Sequence, residues 1–584
     1  MDDIQNAIKD HHYAESIRNA EQSPEESLAR AITDKLPTPP AECPDILPVD
    51  KFRESLKLET LYASKVGRYF LGESLAKIDG SWTCHLEHVR ECNDRMFAFF
   101  RNATSKNTVH HIADKFKLKS GNWPNASSIN EAITAVKSNL DQQDVKMDQV
   151  FKPLLDVMVE TVFAKGFENM LTEEDALMKF QNILWYLGQE VTENDFLIFR
   201  DLGRGAFGVV QGAKHRYTGK MVALKAIDRK LCKGKNALKL VKQEFSILKA
   251  LGQKPSLFCV SLRYSYFEPT NMILGLPLCT GGDLMFHMRM SPQGYGIARS
   301  RFYAAEIMCG LEHLHGLGII YRDLKPENVL LTDKGHCLIS DLGLAVEIGC
   351  TPQTRPVNGS KDKTGRAGTP GYWPPSMVKA AEYEFEAEWY TDKYSFDCDW
   401  WSWAATLFEF LIGVCPFSES HCNAVGEIQF KDRNDCILRW EIQYPEKCDS
   451  ESFPEEAKDL LSKMLIRNRS DRTMGMDPDT PKMIRNHPFF RSINWGKLEN
   501  GTAEVPWTPP ANAINAASQD ELDSRNNESE FQRVTLTPGE DKIEGFNFAS
   551  EEHEADIVEV LVLESKGKLD HLNATTRSSA CTIL

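Results

Sequence analysis

The spacing of apolar positions divides this chain into a helical part and a mixed part. Between residues 51 and 186, apolar side chains recur at the three- and four-residue spacing of amphipathic helices, as at Phe151, Leu154, Leu155 and Met158. After Val191 the pattern changes to short β-branched runs broken by glycine, and from about Gly282 longer helical segments follow. Strands followed by helices are typical of an α+β architecture. The sequence therefore predicts a multidomain chain, with an all-α domain ahead of a two-part α+β domain.

Composition sets the remaining boundaries. Residues 1–25 predict either a weakly amphipathic helix or a frayed, solvated terminus, and the proline-rich residues 26–50 indicate a linker. We place the α+β core at residues 199–490, where the motifs described below lie. The polar segment 491–552 follows, and then the acidic and polar segment 553–584. The run EEHEADIVEV, which begins at residue 551, predicts a helix across their boundary.

Size and charge exclude several classes of protein. At 584 residues the chain exceeds a single core, which stops growing at about 250–300 residues. The net charge of −16 argues against binding to nucleic acid or to anionic lipid headgroups, because no segregated basic patch offsets it. Fifteen cysteines without CxxC spacing and a charged start favour a reducing, cytosolic location. No run approaches the roughly 18 uncharged apolar residues of a membrane span.

A glycine-rich hairpin opens the α+β core. Gly203, Gly205 and Gly208 lie between two strand-like runs, where backbone N–H groups can approach phosphates closely. The GxGxxG spacing also occurs in dinucleotide-binding turns and in plain hairpins, so by itself it leaves nucleotide binding open. A Rossmann turn runs directly into a helix, whereas this one continues as strands that end at Lys225. That context favours a loop that covers phosphates.

Lys225 stands within an apolar strand. Burying an unpaired ammonium is costly, so this position predicts an anionic partner. Glu244, in the helical run LKLVKQEFSILKAL, is the natural candidate, and the pairing would leave Lys225 able to hold nucleotide phosphates as well. The alternative is an edge strand from which the ammonium reaches solvent.

The octet YRDLKPEN gathers a base, a cation and a metal ligand in one loop. Asp323 can accept the proton of an attacking hydroxyl, and Lys325 can neutralise charge that develops on a transferred phosphoryl group. Asn328 and, at the end of a later strand, Asp341 are candidate Mg²⁺ ligands. The order and spacing of these motifs indicate phosphoryl transfer with ATP and Mg²⁺ as cofactors. Lysine at position 325 is typical of serine/threonine-specific enzymes.

These motifs resemble the eukaryotic protein kinase fold, and YRD in place of HRD resembles the AGC group. The DLG motif and the stretches FYAAEIMCGLEHLH, FENMLTEEDALMKFQNILWYLGQEVTENDF and HPFFRSINW are similar to the G-protein-coupled receptor kinases. The resemblance covers about residues 50–500. It implies that residues 51–186 form an RGS-homology domain, that residues 491–552 are the AGC tail that crosses the nucleotide site, and that the substrate is an activated receptor.

The same resemblance, carried over residue by residue, implies the ATP contacts. Adenine would contact the hinge, residues 276–279. Pro277 is tolerable there because only its carbonyl would be needed, while Cys279 would supply the N–H. Asp283 matches the ribose-binding acid, and Leu276 the gatekeeper. The full set of implied ATP-binding residues is Leu202, Gly203, Arg204, Gly205, Ala206, Phe207, Gly208, Val209, Val210, Ala223, Lys225, Glu244, Pro277, Cys279, Asp283 and Leu330.

Two positions depart from the family pattern. Ser376 stands where an Ala-Pro-Glu motif has its glutamate, whose partner here would be Arg472. We expect an unpaired Arg472 to be destabilising unless Glu382, Glu384 or water takes that place. Ala404 replaces a glycine in a later helix.

The activation segment, which includes Thr369, is long. Gly365 stands four residues before Thr369, where AGC kinases usually carry a phosphorylated residue. The resemblance therefore implies that the receptor controls lobe closure. Thr364 and Ser360 are alternative modification sites, although polar loops often carry such residues unmodified.

The final residues, ACTIL, match a prenylation box with Cys581 as acceptor, and the terminal leucine favours a geranylgeranyl group. A single lipid without a polybasic run predicts reversible attachment of a cytoplasmic protein to the membrane surface. Two other functions stay open: a catalytically weak scaffold that binds Gα through its RGS-like domain, and an AGC kinase with soluble substrates.

Overall fold

The computed structural model describes residues 24–40, 42–58, 61, 64–78, 126–140, 164–205, 207–234, 237–356, 367–382, 394–425, 429–444, 453–510, 543–569 and 572. Most of these residues divide into two compact units. We call them the helical unit, within residues 28–190, 217–219 and 551–572, and the mixed unit, within residues 191–216 and 220–550. Residues 1–23, Ala206 and Cys581, for which a helix, an ATP contact and a lipid were predicted, lie outside the described residues.

The described helices are α1 (Pro24–Ala31), α2 (Val49–Ser55), α3 (Lys65–Ile78), α4 (Ala126–Leu140), α5 (Ala164–Thr172), α6 (Glu174–Leu187), α7 (Arg229–Gly234), α8 (Leu238–Gln253), α9 (Leu284–Arg289), α10 (Ile297–Gly316), α11 (Pro375–Glu382), α12 (Asp397–Ile412), α13 (Glu419–Val425), α14 (Arg433–Arg439), α15 (Glu455–Met464), α16 (Thr480–Arg485), α17 (Trp495–Glu499) and α18 (Glu551–Ser565). The strands are β1 (Phe196–Gly205), β2 (Gly208–His215), β3 (Met221–Asp228), β4 (Tyr264–Phe267), β5 (Asn271–Pro277), β6 (Ile319–Ile320), β7 (Val329–Leu331), β8 (Cys337–Ile339), β9 (Val346–Glu347) and β10 (Phe548–Ala549). Among the helices described, none combines the length and apolarity needed to cross a bilayer.

The helical unit packs around aromatic side chains from three helices. Phe180 of α6 lies against Phe70 of α3 and Phe52 of α2, with ring centroids 5.1 and 6.1 Å apart. Glu174 and Asp175 in the first turn of α6 favour the helix because they complement the positive end of its dipole. The regular structure that is described for this unit is helical.

The helical unit also contains α18, from the segment predicted to be an acidic and polar tail. Ile557 and Leu561 are fully buried, and Tyr69 donates a hydrogen bond to the Leu561 carbonyl at 3.3 Å. Lys179 pairs with Glu564 at 2.8 Å. The helix forms where the sequence predicted it, but its apolar stripe is part of a core. The helix spans residue 553, and its buried face belongs to the core of the helical unit.

The mixed unit begins with a six-stranded sheet in the order β1-β2-β3-β5-β4-β10, in which neighbours are antiparallel. Val222, Leu224 and Ala226 of β3 are buried in alternation, so Lys225 lies on the opposite face. Because β3 is flanked by β2 and β5, it is an interior strand. The edge-strand alternative for Lys225 is therefore wrong.

The rest of the mixed unit is mainly helical and is organised around α10 and α12. Every residue of α12 from Asp397 to Leu411 is buried, including Trp401 and Trp403. Ala404, in place of the family's glycine, is accommodated in this buried stretch. Two short antiparallel strand pairs, β6 with β9 and β7 with β8, pack against α10 through β6 and β8. Sheet and helical lobe together give the bilobal α+β architecture that the sequence predicted.

Arg472 has an acidic partner in this lobe, although Ser376 replaces the glutamate. Its Nη1 lies 3.6 Å from the Asp397 carboxylate. Arg469 binds the same carboxylate through two hydrogen bonds of 2.9 and 2.7 Å. Asp397 of α12 thus supplies an acid for Arg472, while the side chains of Glu382 and Glu384, the replacements predicted from sequence, lie outside the described part of the chain.

Candidate active site

A lysine of β3 meets a carboxylate of α8 and a carboxylate that follows β8. Lys225 Nζ lies 2.7 Å from Glu244 Oε1 and 3.3 Å from Asp341 Oδ1. Burial by itself lowers the pKa of Lys225, but the charges of Glu244 and Asp341 outweigh it, and its pKa is raised overall. The Lys225 ammonium in turn lowers the pKa of Asp341 against the effect of burial. Lysine and aspartate are therefore both ionised at neutral pH.

Two residues of the site have a left-handed backbone. Asp341 has φ of 47° and Arg322 has φ of 72°, and among the described residues they are the non-glycine residues with positive φ. Such conformations cost about 1–3 kcal/mol and concentrate at functional sites. Arg322 Nε donates to the Leu344 carbonyl at 2.8 Å. That bond ties the turn before Asp323 to the turn that carries Asp341.

Asp323 lies in a cluster of hydrogen bonds with Thr369. Thr369 Oγ1 donates to Asp323 Oδ1 at 2.6 Å and accepts from Lys325 Nζ at 2.5 Å. Asn328 Nδ2 donates to Asp323 Oδ2 at 2.8 Å, and Lys325 Nζ lies 3.2 Å from the same oxygen. The threonine hydroxyl shows how this carboxylate accepts a hydrogen bond from an alcohol while a cation lies alongside.

A buried aspartate of α12 positions the loop that carries this cluster. Asp399 is fully buried and accepts hydrogen bonds from the backbone N–H groups of Tyr321 at 2.8 Å and Arg322 at 2.7 Å. His315 Nε2 lies 2.8 Å from the same carboxylate. Sequence reasoning gave Asp399 no role, and the available signal was a carboxylate within a run rich in aromatic and apolar residues, which needs partners when buried.

Asn328 and Asp341 suit a magnesium ion by their chemistry. The Asn328 amide nitrogen is taken up by Asp323, which leaves the amide oxygen as an acceptor. Asn328 precedes β7 and Asp341 follows β8. These two strand ends are joined, because the Ser340 N–H donates to the Asn328 carbonyl at 2.9 Å. Carboxylate and amide oxygens are ligands that Mg²⁺ accepts, and it retains several waters beside them.

The implied adenosine contacts lie where β5 leaves the sheet. Leu276 and Pro277 end β5, and Cys279 and Asp283 follow them. Asp283 caps α9 by accepting from the Phe286 N–H at 2.7 Å, and burial raises its pKa. Burial raises the pKa of the Cys279 thiol to about 12, so this thiol is not a nucleophile.

The glycine hairpin is formed by β1 and β2, which pair up to Gly205 and Gly208. A side chain at Gly208 would overlap the Ala226 carbonyl oxygen of β3. Gly203 has open space around it, as expected where a ligand approaches the backbone. The other implied contacts of this region lie on the same three strands or on β7, namely Leu202, Arg204, Val209, Val210, Ala223 and Leu330, and Phe207 lies in the turn.

Comparison with known proteins gives the family. A model of the protein kinase domain matches residues 196–490. Rhodopsin kinase GRK7 of Ictidomys tridecemlineatus is 38% identical over 339 residues, which cover 57% of the chain and 56% of that relative. Rhodopsin kinase GRK7 of Homo sapiens is 34% identical over 397 residues, 67% of the chain and 64% of the relative. G protein-coupled receptor kinase 2 of Drosophila melanogaster is 36% identical over 363 residues, 59% of the chain and 45% of the relative.

The matched part of the chain spans less than two thirds of the length of each of these relatives. The matches confirm the resemblance to G-protein-coupled receptor kinases that the motifs indicated. Since the domain model also takes in half of the sequence, the chain belongs to the protein kinase family.

Proposed function

We propose that this chain is a serine/threonine protein kinase that transfers the γ-phosphate of MgATP to activated G-protein-coupled receptors and so promotes their desensitisation. The observation that carries the chemistry is the Thr369 hydroxyl, hydrogen bonded to both Asp323 and Lys325. A substrate hydroxyl needs the same two partners, one to take its proton and one to neutralise the phosphoryl group.

Each residue of the site has a part in this reaction. Lys225, held by Glu244, binds the nucleotide phosphates, while Asn328 and Asp341 hold Mg²⁺. When bound, Mg²⁺ neutralises charge on the β- and γ-phosphates. Asp323 orients the hydroxyl and receives its proton as oxygen bonds to the γ-phosphorus and the bond to the β-phosphate oxygen breaks.

The receptor as substrate is supported by the names of the relatives and by Gly365, which removes the usual phosphorylation point of the activation segment. Residues 51–186 are proposed to form an RGS-homology domain with Gα as a possible partner, and residues 491–552 an AGC tail. A geranylgeranyl group on Cys581 would bring this cytoplasmic enzyme reversibly to the membrane that holds its substrate.

The test is transfer of labelled phosphate from ATP to membranes that carry one receptor in its activated or its resting form. The full chain is compared with Asp323→Asn and with Asp333→Asn, which changes an exposed aspartate in the β7–β8 turn. We expect transfer that requires the activated receptor, is lost in Asp323→Asn and persists in Asp333→Asn. Equal transfer to soluble proteins would favour the general AGC kinase instead.

A catalytically weak scaffold is the second candidate, and its support came from the two departures, Ala404, which is accommodated in α12, and the missing glutamate at Ser376. Arg472 nevertheless pairs with Asp397, so that departure no longer argues for a weakened large lobe. Absence of any Asp323-dependent transfer would restore the scaffold as the better account.

A further inference from the structure

Trp507, beyond the predicted catalytic core, is fixed against the large lobe by a cation. The Arg299 guanidinium lies 3.7 Å from the Trp507 ring centroid and 4.0 Å from that of Tyr295. Arg299 Nε also donates to the Tyr303 hydroxyl at 3.0 Å. Arg299 is thus held between two aromatic rings and presents a rigid face to Trp507.

Backbone packing fixes the same segment from a second side. A side chain at Gly335, in the turn between β7 and β8, would overlap the Trp507 carbonyl oxygen and press on Val505. Gly335 also has φ of 86°, which disfavours any other residue. Trp507 therefore has a defined position over α10 and this turn.

Trp507 contacts His287 of α9, which in turn reaches the Gly281 backbone. The two rings are edge to face, with centroids 4.9 Å apart and an interplanar angle of 69°. His287 is only 2% exposed, and its Nε2 lies 2.6 Å from the Gly281 carbonyl oxygen. Since a carbonyl only accepts, Nε2 carries the hydrogen. Burial lowers the pKa of His287, so its ring is neutral at neutral pH.

Gly281 begins a short strip, Gly281–Asp283. His287 contacts this strip from one side, and β7 is hydrogen bonded to it from the other. The Gly281 N–H donates to the Leu331 carbonyl at 3.0 Å, and the Leu331 N–H donates to the Gly282 carbonyl at 2.7 Å. Asp283 forms a bridge with Leu330. A side chain at Gly281 would meet the Leu331 carbonyl at 2.6 Å. The strip is therefore clamped between β7 and His287.

We propose that His287 and Trp507 are positioning residues for nucleotide binding. They hold the Gly281–Asp283 strip in place. This position lets Asp283 within the strip and Cys279 just before it contact the adenosine. This inference rests on the proposed kinase function, because it assumes that ATP binds at these residues. Neither side chain is placed at the phosphates, so their effect falls on nucleotide affinity and leaves the chemical step unchanged.

The experiment measures the Kd of magnesium ADP for the full chain by titration calorimetry, together with KM and kcat for MgATP. His287→Leu and Trp507→Ala are expected to raise both Kd and KM about threefold to tenfold, the loss of one modest interaction. The kcat is expected to stay within about twofold. His287→Gln, whose amide can donate to Gly281, is expected to restore the wild-type Kd.

The matched control is His313→Leu. His313 Nε2 also contacts a backbone carbonyl oxygen, that of Lys254 at 2.9 Å, but it does not touch the strip. This variant is expected to bind ADP as the wild type does, and thermal unfolding confirms that each variant is folded.

Three outcomes would overturn the inference. They are a wild-type Kd in both His287→Leu and Trp507→Ala, a His287→Gln variant no better than His287→Leu, and a fall in kcat at unchanged KM. A wild-type chain that binds no nucleotide would count against the proposed kinase function instead. If the wild-type chain binds nucleotide and transfers phosphate while both variants keep the wild-type Kd and KM, only the positioning role is contradicted.

Discussion

Replacing Asp397 with asparagine tests what keeps Arg472 buried. The side chains of Asp397 and Arg472 are 3% and 1% exposed, and Arg469 reaches the same carboxylate. The substitution keeps the shape of the side chain and removes its charge. Leaving a buried charge without its partner costs about 3–5 kcal/mol. We expect a loss of about 3 kcal/mol, the lower value, because the asparagine oxygen still accepts a hydrogen bond.

The assay is thermal and urea unfolding of the full chain, followed by tryptophan fluorescence, which reports on Trp401 and Trp403 of the same helix. The control is Lys463→Gln, which removes an ion pair to Asp459 between half-exposed side chains. Its length of 2.7 Å equals that of the shorter contact between Arg469 and Asp397. Exposed pairs contribute about 0–1 kcal/mol. If Asp397→Asn unfolds no more easily than Lys463→Gln, Asp397 is not the acid that stabilises this lobe.

The pH dependence gives an independent check on the same pair. Burial raises the pKa of Asp397. The hydrogen bonds and charge of Arg469 and the charge of Arg472 together outweigh burial, so the pKa lies below its usual value. A depressed pKa contributes stability above the unfolded value, about 3.9, and that stability is lost as the pH falls through the folded value. The difference between wild type and Asp397→Asn is therefore expected to be full at pH 6–8 and to shrink below about pH 4. A constant difference down to pH 3 would contradict this reasoning.

Other substitutions test the active site and the helical unit. Asp323→Asn is expected to lower phosphate transfer by about 10²–10⁴-fold, the usual contribution of a general base, with an unchanged Kd for ADP; a variant that keeps its activity would exclude the residue as the base. Thr369→Val removes the hydroxyl beside Asp323 and should lower kcat by about 10- to 150-fold, since one hydrogen bond to a charged group is worth about 1.5–3 kcal/mol, whereas Thr369→Ser should restore kcat. Gly208→Ala forces β2 away from the Ala226 carbonyl and should raise the Kd for ADP, while unaltered binding would show that the hairpin adapts. Leu561→Ala should destabilise the helical unit by about 2–5 kcal/mol, and an unchanged unfolding transition would mean that α18 is not part of its core.

The sequence predicted most of the candidate site because its residues are close together along the chain. Asp323, Lys325 and Asn328 lie within one loop, and local geometry brings them together whatever surrounds them. The apolar run that ends at Lys225 predicted a strand, and a lysine within it called for an acid such as Glu244. The run EEHEADIVEV predicted where α18 forms. It gave no sign of what covers the apolar stripe of that helix.

The sequence by itself thus predicted the helical and mixed parts, the glycine hairpin, and the candidate lysine, base and metal-ligand set, since each rests on local spacing and on the chemistry of the side chains. Only the tertiary structure decided which acid lies beside Arg472, that α18 belongs to the core of the helical unit, and that Trp507 contacts His287, which in turn bonds to Gly281. These contacts join residues far apart in sequence, such as Arg469 and Asp397, which are 72 positions apart. The chemistry of a side chain and its local sequence predict what kind of partner it needs when it is buried. Which residue supplies that partner depends on how the chain packs.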